Sequence, residues 1–253
     1  PMDIATPRAD AAEGRILCRH PDGRVTVFAD KLYAPFGLQY LDGRLYVLHN
    51  PKCSVFDDAG DHGTNRVDLI EQTNPNASAL DWNDHVPANF RLGMDGYFYM
   101  AVGDKGIYGA VGRDGKRVDL PGGGILRLRP DGTALEPYCL GVRNILDVAM
   151  DAEDELFTYD NTDEKQWMSR LSHIVEGGYY GYPYDFNPRQ PYILWCMEDY
   201  GAGAATGAFI DTEGRLPAPF TGRAFLSDFG KRQVTAVRLE RKGSTFTASD
   251  PLE

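Results

Sequence analysis

Four times along this chain a strand, a tight polar turn and an aromatic-rich second strand ending in a polar residue follow one another. The stretches are GLQYLDGRLYVLHN (37–50), NFRLGMDGYFYMAVGD (89–104), LDVAMDAEDELFTYDN (146–161) and FTGRAFLSDFGKRQVTAVRL (220–239). In the first three, Asp-Gly or Glu-Asp-Glu supplies the turn, and glycine is free to take the positive φ that tight hairpins demand. The step between hairpins is roughly 50 to 70 residues, and runs such as GRILCRHPDG (14–23) and GGILRLRPDG (123–132) complete sheets of about four strands. A chain that repeats one small antiparallel sheet at this step is expected to be all-β, with its sheets arranged radially as a β-propeller. A two-sheet sandwich also shows many short strands with frequent turns and stays open at this point.

Little in the sequence competes with strands. EKQWMSRLSHIVEGG (164–178) is the only helix candidate, and the Pro/Gly-rich NPRQPYILWCMEDYGAGAATG (187–207) reads as a long excursion between sheets. The expected division is an N-terminal tail over 1–13 and a propeller over 14–253. The chain starts at Pro1 with no signal-like segment, so a processed, trimmed or excised N-terminus is expected.

Charge and cysteine spacing exclude several functions. A net charge of −11 without any Lys/Arg run makes nucleic acid and anionic membrane surfaces poor partners. No apolar stretch approaches the roughly 20 residues of a membrane helix. Cys18, Cys53, Cys139 and Cys196 lie far apart with no CxxC or CxxCH, against a zinc ribbon or covalent haem, although four thiols permit disulfides. LPGGGIL (120–126) lacks GxGxxG spacing and a following helix, no GxSxG elbow occurs, and His20, His49, His62 and His173 form no HxxxH pair.

In a propeller, the ends of outgoing strands and the leads into inner strands converge on the central channel. That geometry selects Asp84 and His85, Arg143 and Asn144, and Asp160 and Asn161. An imidazole can exchange a proton near neutral pH, so His85 is a candidate general base with Asp84 orienting it; a loop histidine bonded to backbone is the plainer reading. Arg143 could fork a carboxylate, or simply tie sheets together. YDNTDE (159–164) offers oxygens suited to Ca²⁺, whereas DDAGDHGTNRVD (57–68) lacks the alternation of a calcium loop and reads as a solvated turn.

Taken in order, the motifs resemble the soluble quinoprotein glucose dehydrogenase and sorbosone dehydrogenase superfamily of six-bladed propellers. DHVPANFRLGMDGYFYMAVGDKG (84–106) is similar to that family's DH…GxDxxxYxxxGDxG block. GGILRLRPDG is similar to its GxxLRLxxDG strand, GVRNILDVAMDAEDELFTYDN (141–161) to its GxRNPxGxAxD block, and GGYYGYP (177–183) to its GGNYGWP turn. GAGAATGAFI (201–210) and the segment 220–246 look closer still to the dehydrogenase-like domains of planctomycetes, and the likeness covers roughly 14–250.

The resemblance implies a sugar or alcohol dehydrogenase that passes hydride to pyrroloquinoline quinone, with His85 as base and Asp84 beside it. It implies Arg143, Asn144, Lys231 and Arg232, and less directly Arg215, as cofactor contacts, and Asp160, Asn161 and Thr162 around a Ca²⁺ ion. It also implies a strand in the second half of 164–178, an electron acceptor (a dye, quinone or cytochrome) as partner, and a periplasmic or secreted location. The chain departs from the pattern at the Gly109 region, where the family has glutamine, and at Ile145, where it has proline. It holds about four and a half blades, so a fragment or an atypical closure is expected, with an open sheet edge that invites oligomerisation. A non-catalytic propeller binding protein or glycans, and a Ca²⁺-dependent hydrolase or lactonase, are the alternatives.

Overall fold

A computed structural model of the chain describes residues 12–73, 85–162, 168–183 and 190–252. Its strands come from the turns. β3 (Pro35–Leu41) and β4 (Arg44–His49) are joined by Asp42 at φ 48° and Gly43 at φ 75°. Positive φ at both central residues is the hairpin turn whose twist matches the strands, and Asp-Gly is the pair that adopts it cheaply. β5 (Lys52–Asp58) and β6 (Gly63–Ile70) complete this first blade in the order β3-β4-β5-β6.

The second blade contains β7 (Phe90–Leu92), β8 (Phe98–Val102), β11 (Gly123–Leu128) and β12 (Glu136–Val142). A separate hairpin of β9 (Ile107–Val111) and β10 (Arg117–Leu120) is inserted between β8 and β11. The third blade runs β13 (Ala149–Met150), β14 (Leu156–Asp160), β15 (Arg170–Ile174) and β16 (Glu198–Asp199). The fourth runs β17 (Ala205–Ile210), β18 (Ala224–Asp228), β19 (Gln233–Lys242) and β20 (Thr245–Leu252). β1 (Gly14–Arg19) and β2 (Val25–Leu32) form a two-stranded sheet before the first blade. Four complete antiparallel blades and a leading hairpin agree with the expected all-β propeller of about four to five blades.

Alternation along the strands builds the core between blades. On β8, Phe98, Met100 and Val102 pack toward the first blade with Tyr46, Leu48 and Phe90, while Tyr99 and Ala101 pack toward the third with Ile125 and Leu156. All five β8 residues are therefore buried, each large apolar side chain contributing roughly 1.5–3 kcal/mol. Phe157, Leu171, Leu226 and Phe246 form the equivalent layer between the third and fourth blades.

Several expectations resolve here. The helix candidate carries strand β15 instead; its residues 164–167 lie outside the described ones. The excursion 187–207 also supplies β16 and the start of β17, its residues 187–189 lying outside the described ones. The stretch 57–68 is a turn only at its centre, because β5 and β6 claim its two ends. The glycines of 120–126 serve backbone packing: a Cβ on Gly123 would sit 2.1 Å from the Val142 carbonyl, at a bulge in the β11–β12 pairing. All four cysteines are free thiols.

Candidate functional site

Strands β8, β14 and β18 each lead into an acid that faces the lead into the first strand of its own blade, whereas Asn50 after β4 donates from Nδ2 to the Pro87 carbonyl at 2.7 Å, in the lead of the second blade. On the second blade that residue is Asp104, and the lead holds His85. Asp104 Oδ1 lies 2.5 Å from His85 Nδ1, and both side chains are about four-fifths shielded from solvent. Burial alone would raise the Asp104 carboxyl. The hydrogen bond from His85, the charges of His85 and Arg143 and the Tyr182 hydroxyl outweigh it and hold the group below the usual carboxylate range. An ionised carboxylate only accepts, so His85 Nδ1 is the donor of this bond, and whenever the ring is neutral its lone pair is on Nε2.

The backbone locks this arrangement. His85 adopts φ 53°, and its carbonyl accepts from Lys105 N at 3.2 Å. Gly103 is the residue that lets the two segments meet: a Cβ there would fall 2.5 Å from His85 C and 2.7 Å from Asn144 Oδ1. Asn144 thus reaches the same corner from the third blade. Its Oδ1 and Arg143 Nε are buried without a hydrogen-bond partner among the described residues.

Arg143 and Asn144 are held by Asp160. The Asp160 carboxylate is fully buried and accepts the backbone N–H groups of Arg143 and Asn144, each at 2.8 Å, and of Asn161 at 2.8 Å. Arg143 Nη1 donates to the Thr162 carbonyl. Tyr182 links the clusters, because its hydroxyl bonds both Asp104 and Arg143, and burial together with the Asp104 charge pushes its pKa up.

The structure therefore brings His85, Arg143, Asn144, Asp160, Asn161 and Thr162 together, and adds Asp104 and Tyr182, which are not among the residues selected from the sequence. Asp84 lies outside the described residues, and the carboxylate on His85 in the described chain is Asp104. Asp104 was legible as the strand-ending acid of AVGD, the position that selected Asp160.

Of the residues named for Ca²⁺, Asp160 and Thr162 have oxygens already committed elsewhere. Those of Asp160 are engaged by three N–H groups, and the Thr162 carbonyl faces a guanidinium that would repel a second cation. No group of three or more His, Cys, Asp or Glu side chains is arranged for a metal among the described residues. A carboxylated quinone fits better, since the buried, unpartnered Arg143 Nε and Asn144 Oδ1 offer it a donor and an acceptor beside His85.

The remaining basic residues fall elsewhere. Lys231 is on the fourth blade's corner, its Nζ 2.7 Å from the Tyr200 carbonyl and 3.7 Å from Asp228 Oδ2. Arg232 is exposed on the neighbouring turn. Arg215 lies in the turn between β17 and β18, 82% exposed and paired with Glu213. That turn follows the Ile210↔Ala224 pair, at the opposite end of the hairpin from Ala205↔Asp228, so Arg215 cannot share a ligand with the His85 corner.

Residues 21–253 match the family model described as Domain of unknown function (DUF7133). The chain belongs to the DUF7133 family. No curated protein matches the sequence. Among solved structures, the DUF7133 chain is similar to a Thermus thermophilus protein described as an oxidoreductase (glucose dehydrogenase). The TM-score is 0.73 at 18% identity, over 96% of this chain and 78% of that one. It is also similar to a glucose dehydrogenase, at TM-score 0.68 and 15% identity over 95% and 81% of the two chains. The holo PQQ domain of Coprinopsis cinerea pyranose dehydrogenase gives 0.62 at 12% identity over 96% and 75%. At these identities the likeness is one of fold, and it agrees with the blades described above: the DUF7133 domain is a β-propeller.

Proposed function

We propose that this protein oxidises a hydroxyl group of a sugar or other alcohol using a bound quinone, with His85 as the general base. The observation that carries the reading is the His85–Asp104 pair set beside Arg143 and Asn144. Asp104 fixes the ring with its lone pair on Nε2, ready to take the hydroxyl proton, and stabilises the imidazolium that results. Arg143 would fork a carboxylate of the quinone, and Asn144 would fix its orientation from the corner that Gly103 leaves open. Tyr182 holds Arg143 and Asp104 in one frame, so the binding group and the proton acceptor keep a fixed relation. The quinone, when bound, supplies the hydride acceptor.

Pyrroloquinoline quinone is the form that the sequence resemblance and the Coprinopsis neighbour's name favour, and the glucose dehydrogenase neighbours favour a sugar as substrate. Lys231 is a secondary candidate contact from the fourth blade. An exported protein handing electrons to a dye, quinone or cytochrome completes the reading.

The test is reconstitution. The full chain is titrated with pyrroloquinoline quinone, with and without Ca²⁺, while quinone absorbance is followed, and aldoses are then offered with a dye acceptor. His85→Ala is expected to keep quinone binding and to lose on the order of 10²–10⁴-fold in turnover. No quinone binding by the wild-type chain, or full turnover in His85→Ala, overturns the proposal.

A further inference from the structure

A cleft of about 970 Å³ opens between β6 of the first blade and the inserted β9–β10 hairpin. It shares no residue with the His85 corner, although the hairpin leaves the second blade directly after Asp104. Three guanidiniums reach it, from Arg66, Arg113 and Arg117, together with the carboxylates of Asp68 and Glu71.

Their commitments differ. Arg66 Nε donates to Asp68 Oδ1 at 2.9 Å, and Lys52 Nζ and Ser54 Oγ also bond Asp68, at 2.5 and 2.6 Å, so Asp68 is neutralised within the blade. Arg113 and Arg117 have no side-chain hydrogen bond or ion pair among the described residues. Arg117 lies across Gly109, where a Cβ would come 2.5 Å from Nη2, so the absence of a side chain at that position lets the guanidinium lie against the hairpin backbone. Gln72 Oε1, on the same wall, is a buried acceptor without a partner among the described residues. Val67, Leu69 and Val111 give the cleft an apolar lining between the polar groups.

Lys52 and Arg66 exceed Asp68 by one positive charge, Asp119, which accepts from Gly109 N at 2.5 Å, offsets it, and the guanidiniums of Arg113 and Arg117 then face one carboxylate, Glu71. The cleft therefore carries one uncancelled positive charge, which a single carboxylate balances and a phosphate dianion exceeds. Gln72 Oε1 and Glu71 call for hydroxyl donors, and the apolar lining suits the C–H face of a sugar ring. We infer that this rim cleft binds a sugar acid. Its carboxylate bridges Arg113 and Arg117, and its hydroxyls donate to Gln72 Oε1 and Glu71.

Calorimetric titration of the full chain with D-glucuronate tests this, alongside D-glucose and inorganic phosphate. Both arginines are exposed, so the double variant R113Q/R117Q is expected to fold as wild type, checked by its unfolding midpoint. Glucuronate is expected to bind wild type and His85→Ala equally, and to bind R113Q/R117Q at least about tenfold more weakly. Glucose is expected to give no binding that the double variant removes. The inference is overturned by any of four results: no glucuronate binding, equal binding in the double variant, loss of binding in His85→Ala, or phosphate binding more tightly than glucuronate.

Discussion

Asp104 and Asp160 occupy matching corners of adjacent blades, yet they hold different things. Asp160 takes three backbone N–H groups and is fully buried, whereas Asp104 takes an imidazole and remains partly open to solvent. Asp228 on the fourth blade resembles Asp160, accepting from Ala204 N at 2.7 Å and Lys231 N at 3.0 Å. The propeller thus uses a strand-ending acid to pin the lead of each of these blades. On the second blade, His85 at positive φ turns its side chain into that socket. A corner satisfied by backbone can only hold a loop; a corner satisfied by an imidazole holds a proton that can move.

That contrast breaks down if Asp160 proves dispensable for folding. Asp160→Ala strands three buried or part-buried N–H groups, each worth roughly 1–3 kcal/mol, so urea unfolding should show a loss of about 3 kcal/mol. Asp104→Asn should do the reverse, costing about 1 kcal/mol or less in unfolding free energy while lowering turnover in the proposed dehydrogenase reaction about 10²-fold in a kinetic assay. Equal destabilisation by the two variants would erase the distinction.

A second histidine sharpens the comparison. His49 ends β4 and is buried, its Nε2 2.7 Å from Ser54 Oγ; burial first, then the Arg66 charge, lowers its pKa from 6.5 to about 4. The folded state resists its protonation. Its contribution to stability is therefore whole above pH 6.5 and is lost as pH falls from 6.5 toward 4, at up to about 1.4 kcal/mol per pH unit. Unfolding measured at pH 7 and pH 5 should show this slope in wild type and a weaker one in His49→Gln. Asp68, held at about 2 against the burial that would raise it, acts only in the window below pH 3.8. The smallest effect is expected from Lys231→Met, about 1 kcal/mol in unfolding free energy, because its ion pair with Asp228 is 3.7 Å long and Asp228 keeps the backbone N–H groups of Ala204 and residue 231.

The blades were legible because their turns are local. Asp42-Gly43 and the unbroken apolar run of β8 are written in adjacent residues. The β9–β10 hairpin carries an equally local turn in Asp114-Gly115, but a pattern of repeated blades has no place for an insertion. Strand β16 depends on pairing with β15 and has no signature in its two residues. The site was half legible for the same reason. His85 and Arg143–Asn144 stand at predictable strand leads, whereas Asp104 lies 19 residues from its histidine, and adjacency favoured Asp84 instead. The distance of Arg215 from the corner follows only from which end of a hairpin its turn closes.

The free thiols offer a use beyond their structural role. Burial pushes the thiols of Cys53 on β5 and Cys139 on β12 up to about 12, while Cys18 and Cys196 are partly exposed. An alkylating reagent at neutral pH will consume the outer pair first and reach the inner pair only when a blade opens. The protein therefore carries its own timers of local opening, one in each of two neighbouring blades, readable by mass without introducing a label site.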